Sequence, residues 1–202
     1  LRPTLAIGLG QNSRRGGPIE LWDLASGSLE KTLQTTDTDV RGLAFSNNGD
    51  RLAAIFARPS GLFSFESSGA IEIFSTEEGS SVVQFPAQPV NLMDINWSVT
   101  DQRLVTSSFD GNVRVWRADG TELLTLNPFE SAPVRFAFWD EAGGTLMACA
   151  LQNTQVASWT IADSLEDASV HGSPVLLGNL LEKQFNTPGV DNIHCGKRDG
   201  SG

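Results

Sequence analysis

The sequence predicts an all-β protein assembled from repeated antiparallel sheets, and three observations carry that expectation. Four segments share one pattern: Ile19-Glu20-Leu21-Trp22-Asp23, Ile71-Glu72-Ile73-Phe74-Ser75, Val113-Arg114-Val115-Trp116-Arg117 and Val156-Ala157-Ser158-Trp159-Thr160. Each alternates apolar and polar positions up to a terminal aromatic, which is the period of a half-buried strand. The aromatic positions Trp22, Phe74, Trp116 and Trp159 stand 52, 42 and 43 residues apart, a spacing that fits one four-stranded sheet per repeat. The composition agrees: 202 residues with 40% hydrophobic, 19% charged, 20 Gly and 9 Pro describe a turn-rich chain with enough apolar side chains for a core.

The long first interval has a local cause. Leu52 to Ile71 is 19 residues, whereas Leu104 to Val113 is 9 and Leu146 to Val156 is 10, so the excess lies in one inserted loop around Arg58 to Ser68. Further positions keep the phase. Val40, Leu43 and Phe45 correspond to Leu92, Ile95 and Trp97, and to Val134, Ala137 and Trp139. Each terminal aromatic is followed seven residues later by Leu52, Leu104 or Leu146, across a polar turn such as Asn47-Asn48-Gly49-Asp50. That arrangement predicts strand, turn, strand.

Taken together, these residues resemble the WD-repeat family. Val40 to Leu52 is similar to its inner strand and turn, and Ser107-Ser108-Phe109-Asp110-Gly111-Asn112-Val113-Arg114-Val115-Trp116 to its most characteristic stretch. The resemblance covers roughly residues 4 to 180 and implies a β-propeller built of four-stranded antiparallel blades. It also implies that Ser108, Asp110 and Trp116 form part of a hydrogen-bonded set tying strands together, with the family's His missing. Trp22, Phe74 and Trp159 take the aromatic position of the other blades, whose Asp position holds Gly16, Ser68 and Asn153. Packing, rather than that network, is expected to hold those blades.

By this analogy residues 1–35 form a partial blade of three strands, at about 4 to 9, 18 to 23 and 28 to 34, without an inner strand. Residues 36–87 form a blade with a long inserted loop near 57–69, and 88–127 and 128–173 form two more, the last with its outer strand near 165 to 170. Pro174 to Leu181 is expected to begin the inner strand of a further repeat, followed by a polar tail to 202. The expected ring is therefore incomplete, with the remaining blades supplied by the same longer chain or by a partner chain, including a second copy. Alternatively, the strand near 175 to 181 supplies the inner strand of the first blade and closes a four-bladed ring.

A net charge of −10 repels phosphate backbones and anionic headgroups, so neither nucleic acid nor membrane insertion is expected. Two cysteines, Cys149 and Cys195, lack the number and spacing of a disulfide-rich scaffold or a zinc site. No apolar run approaches the roughly 18 residues of a spanning helix. A cytoplasmic location is expected, with the nucleus compatible.

Motifs that carry chemistry are sparse. His171 and His194 lie in a loop-like stretch and a polar tail; His194-Cys195 lacks further ligands at zinc spacing, while His171 could act as a structural capping group. Thr36-Asp37-Thr38-Asp39 has two carboxylates but no oxygen-ligand spacing, and reads as a solvated turn. Arg14-Arg15-Gly16-Gly17 is reminiscent of the double-Arg motif of phosphoinositide-binding propellers, yet it lacks the preceding apolar residue and reads as a polar turn. Gly8 and Gly10 precede no helix, so a dinucleotide site fails on context. No catalytic residue, cofactor or metal site is expected.

What remains is surface. Loops entering the inner strands gather on one propeller face, bringing together Asp37, Asp39 and Arg41, then Arg135 in the same phase, with Phe129 nearby. The inserted loop adds Leu62, Phe63 and Phe65, either as a contact element or as apolar packing for its own hairpin. The expected function is a non-catalytic protein-interaction scaffold within a larger assembly or multidomain protein. A regulatory sensing domain attached to a signalling ATPase or other enzyme is the alternative.

Overall fold

The computed structural model describes residues 4–9, 17–35, 39–59, 67–130, 132–140, 144–151, 155–161 and 170–176, with the backbone alone at 58, 59, 67 and 170–176. Among them the chain forms four antiparallel sheets. The first holds β1 (Thr4–Gly8), β2 (Ile19–Asp23) and β3 (Ser28–Leu33). The second holds β4 (Asp39–Phe45), β5 (Arg51–Pro59), β6 (Ser67–Ser75) and β7 (Ser81–Gln84). The third holds β8 (Leu92–Trp97), β9 (Arg103–Ser108), β10 (Val113–Arg117) and β11 (Glu122–Leu126). The fourth holds β12 (Val134–Trp139), β13 (Thr145–Ala150), β14 (Val156–Ile161) and β15 (Val170–Leu176).

Each four-stranded sheet is a meander in chain order, and successive sheets touch through their inner strands, β4 to β8 and β8 to β12. Among the described residues the sheets do not close a ring. Three apolar cores lie between the four sheets. The alternation of β5 shows how one strand serves two of them: Leu52, Ala54 and Phe56 pack toward the first sheet, whereas Ala53 and Ile55 pack toward the third. Successive side chains point to opposite faces, so a strand sandwiched between two sheets reads as an unbroken apolar run.

Close packing between sheets requires glycine at two places. A Cβ on Gly8 would lie 2.5 Å from Val40 Cγ1, and one on Gly69 would lie 2.8 Å from the Val90 carbonyl oxygen and 2.7 Å from Leu92 Cγ. Gly69 also pairs with Gln88 through two backbone hydrogen bonds, which pins the chain leading into β8.

Polar bonds then tie the sheets at their inner strands. The Trp97 indole donates to the Ala44 carbonyl at 3.0 Å, and Asn96 donates to the Ala137 carbonyl at 2.7 Å. Between the second and third sheets, the Asp101 carboxylate accepts from the backbone and side chain of Asn47 and from the Asn48 N–H. Arg51 stacks 4.6 Å over the Trp97 ring and donates to the Asp101 carbonyl.

Two features differ from expectation or lengthen it. β5 and β6 run as one long hairpin paired from Arg51↔Ser75 to Pro59↔Ser67, so the insertion extends a blade hairpin; Leu62, Phe63 and Phe65 lie outside the described residues. At the other end, Val175 pairs with Ser158 and Leu176 with Ala157, so Pro174–Leu176 belongs to the outer strand of the fourth sheet. That corrects the inner-strand expectation for Pro174–Leu176, while the rest of that stretch, Leu177 to Leu181, lies outside the described residues. The physical reason is that β14 offers an unpaired edge directly upstream, and pairing there satisfies backbone groups with a short connection. Pro174, which has no N–H to give, falls where the register slips between Ser158 and Thr160.

Candidate functional site

The three inner strands β4, β8 and β12 share an irregularity. Pairing skips from Val40 to Gly42, from Leu92 to Asp94 and from Val134 to Phe136, leaving Arg41, Met93 and Arg135 bulged at the same phase. A bulge re-aims the extra residue out of the ladder. Here the three bulged residues line a single cleft of about 390 Å³, together with Asn91, Leu92, Asp94, Phe109 and Phe136. Its size falls within the roughly 300–1,000 Å³ of ligand clefts.

The charges in the cleft are held unequally. Arg41 pairs with Asp39 at 2.8 Å in an exposed contact, which is weak in water. Arg135 is exposed and lies 5.4 Å over the Phe136 ring, and among the described residues no carboxylate pairs with it. The buried Ser107 hydroxyl donates to the Arg135 carbonyl at 3.2 Å and so fixes the bulged backbone. Asp94 accepts from Asn96, the same side chain that reaches across to β12.

Phe109 stands at the rim, 53% exposed, on the tight turn between β9 and β10. Its N–H donates to the Asn91 carbonyl at 2.9 Å, which ties that turn to the loop entering β8. The turn itself is knotted. Arg114 donates to Asp110 Oδ2 at 2.7 Å and to Ser108 Oγ at 3.0 Å, the Ser108 hydroxyl donates to Asp110, and the Asn112 N–H donates to Asp110 Oδ1. Burial would raise the Asp110 carboxyl, but the bonds from Arg114, Ser108 and Asn112, with the Arg114 charge, hold it down at about 2.

The expected residues therefore divide. Asp39, Arg41 and Arg135 lie in or beside the cleft. Asp37, Phe63 and Phe65 are outside the described residues. Phe129 is corrected: it is 6% exposed and packs in the core between the third and fourth sheets, where burial of an apolar ring outweighs any surface role. Phe109, Met93 and Asp94 were not expected; the signal for Phe109 was an aromatic set in an otherwise polar Ser-Ser-Phe-Asp-Gly turn.

The implied hydrogen-bonded set is also redrawn. The buried Trp116 indole donates to Thr106 Oγ1 at 2.9 Å, not to Ser108. Ser108 instead serves the Asp110 knot, with Arg114 as its cationic donor. Phe74 and Trp159 are buried by packing, while the half-buried Trp22 donates to Glu20 at 2.9 Å. Among the described residues no group of three His, Cys, Asp or Glu could hold a metal ion.

Comparison with known proteins gives partial matches to this chain. The family described as WD40, WD domain, G-beta repeat, matches residues 79–117, a span that starts before β7 and ends with β10. The repeat thus straddles two sheets. Polyadenylation factor subunit 2 of Cryptococcus neoformans is 30% identical over 100 residues, covering 50% of this chain and 12% of that protein. Autophagy-related protein 16 of Arabidopsis thaliana is 24% identical over 149 residues, 71% of this chain and 27% of that protein. Jouberin of Mus musculus is 30% identical over 132 residues, 63% of this chain and 12% of that protein. The chain thus spans a small part of each relative. Among solved structures, the Dos1 propeller aligns with a TM-score of 0.64 at 16% identity, covering 85% of this chain and 42% of that one.

Proposed function

From the premise that this chain belongs to the WD-repeat β-propeller family, we propose that it is a non-catalytic interaction scaffold that docks a protein partner on the cleft between β4, β8 and β12. Propeller domains of this kind are typically interaction scaffolds. The relatives' names point to unlike processes, polyadenylation and autophagy, so the shared element is the platform rather than one reaction.

The observation that carries the reading is the repeated bulge. Three blades spend a ladder position to turn Arg41, Met93 and Arg135 toward one cleft, beside an exposed Phe109. Arginine and aromatic side chains are enriched at the energetic centres of interfaces, and methionine adapts to varied partners. The supporting strands are cross-bonded between sheets, which keeps such a site in place.

The test is a photo-crosslinking amino acid placed in turn at position 109, on the cleft rim, and at position 82, an exposed residue of the outer strand β7. Discrete partner adducts are expected from 109 and not from 82. Adducts from 82 alone would move the docking surface to the outer rim and refute the cleft.

A further inference from the structure

Resting on that reading of the cleft, we infer that its occupant is an acidic peptide segment of the partner, with a carboxylate on Arg135 and an adjacent apolar side chain against Phe109 and Met93. On a chain whose net charge is −10, the charges at the cleft balance, Arg41 and Arg135 against Asp39 and Asp94, and Arg135 is the guanidinium that no carboxylate pairs among the described residues. Two guanidiniums line the cleft against Asp94, and Asp39 occupies only one of them.

The two arginines have different parts. Arg135 has no carboxylate partner among the described residues, and its backbone is fixed by Ser107, so its fork is available and partly oriented before binding. Arginine matches a carboxylate in two parallel hydrogen bonds, a geometry that lysine does not offer. Arg41 already shares its charge with Asp39, so its pull on an incoming carboxylate is weaker than that of Arg135. Asp94 opposes an incoming carboxylate, which disfavours a second acidic group placed deep in the cleft.

The apolar half follows from Phe109. A ring 53% exposed on a turn locked by Asp110, Ser108 and Arg114 is a rigid hydrophobic surface, with Met93 and Leu92 continuing it into the cleft. Long polyanions such as nucleic acid meet the repulsion of the whole molecule, whereas a short peptide brings few charges and meets the cleft alone.

The experiment titrates a short fluorescent peptide with the core Glu-Glu-Leu-Glu-Phe against the full chain, beside versions with every Glu replaced by Gln or by Lys. The Glu peptide should bind at least ~tenfold more tightly than either, with affinity falling as salt rises. Arg135→Glu should weaken it ~tenfold or more, Arg41→Gln less, and Asp94→Asn should strengthen it. Arg135 is exposed, so its variants should keep the wild-type melting temperature; Phe109→Ser gives an independent check by weakening Glu and Gln peptides alike.

Equal binding of the Gln or Lys peptide, or an affinity unchanged in Arg135→Glu, overturns the acidic occupant while leaving a docking cleft. If no peptide binds although position 109 still crosslinks a partner, the peptide chemistry is wrong and the cleft stands. Should position 109 crosslink nothing as well, both readings fall.

Discussion

β9 and β1 hold equivalent places, each paired with the strand that ends in the repeat's aromatic, yet they could hardly be treated more differently by solvent. All six residues of β9 are buried, including Thr106, Ser107 and Ser108, whereas in β1 Leu5 is 44% and Ile7 37% exposed. Hydropathy would assign the opposite. β9 is paired on both edges, by β8 and β10, and covered on both faces by neighbouring sheets, while among the described residues β1 pairs with β2 alone. Burial in a stacked-sheet protein is thus set by place in the stack, and polar groups that end up inside must find partners there.

That contrast can be broken by mutation, and the largest effect is expected at the aromatics. Trp116→Ala should cost about 3–5 kcal/mol, since it empties a fully buried site, whereas Trp22→Ala, at a half-buried position, should cost about 1 kcal/mol or less. Chemical denaturation of the two variants checks the difference. Next comes Thr106→Val, which keeps shape but leaves the buried indole N–H unpaired, at about 1–3 kcal/mol.

The Asp110 knot should show itself in pH. Its carboxyl sits at about 2, below the ordinary value of about 3.9, so it adds stability above roughly pH 4 that is lost as the pH falls through about 2. Melting curves of Asp110→Asn should lack that component, and Phe109 should lose its fixed place in the same variant. The smallest effect is expected on β1: Leu5→Ser or Ile7→Thr should change stability by about 0.5 kcal/mol or less. A large loss there would mean that β1 is covered after all.

Much of this architecture was legible because period-two alternation and phased aromatics are local signals. The strands ending at Trp22, Phe74, Trp116 and Trp159 form where the pattern places them. What stayed hidden depends on depth or on choice of partner. Thr106 and Ser108 are two residues apart on one face of β9, so alternation cannot tell which meets Trp116; the diagonal across to β10 decides it. Phe129 follows a proline in a turn-like stretch and looks exposed, yet a core between sheets takes it. Pro174–Leu176 is apolar enough for either an inner or an outer strand, and only the free edge of β14 settles it. In the cleft, the shared phase of Arg41 and Arg135 was visible, but Met93 was not, because a bulge is a property of pairing rather than of composition.

Amide hydrogen–deuterium exchange of the full chain, alone and with a protein captured by the crosslinker at position 109, tests the proposed docking cleft most directly. Slowing on binding should be confined to residues 39–42, 91–94, 107–112 and 134–136, the bulged strand starts and the turns beside them. Protection that instead appears along the outer strands β3, β7 and β11, with those four segments unchanged, would contradict the account.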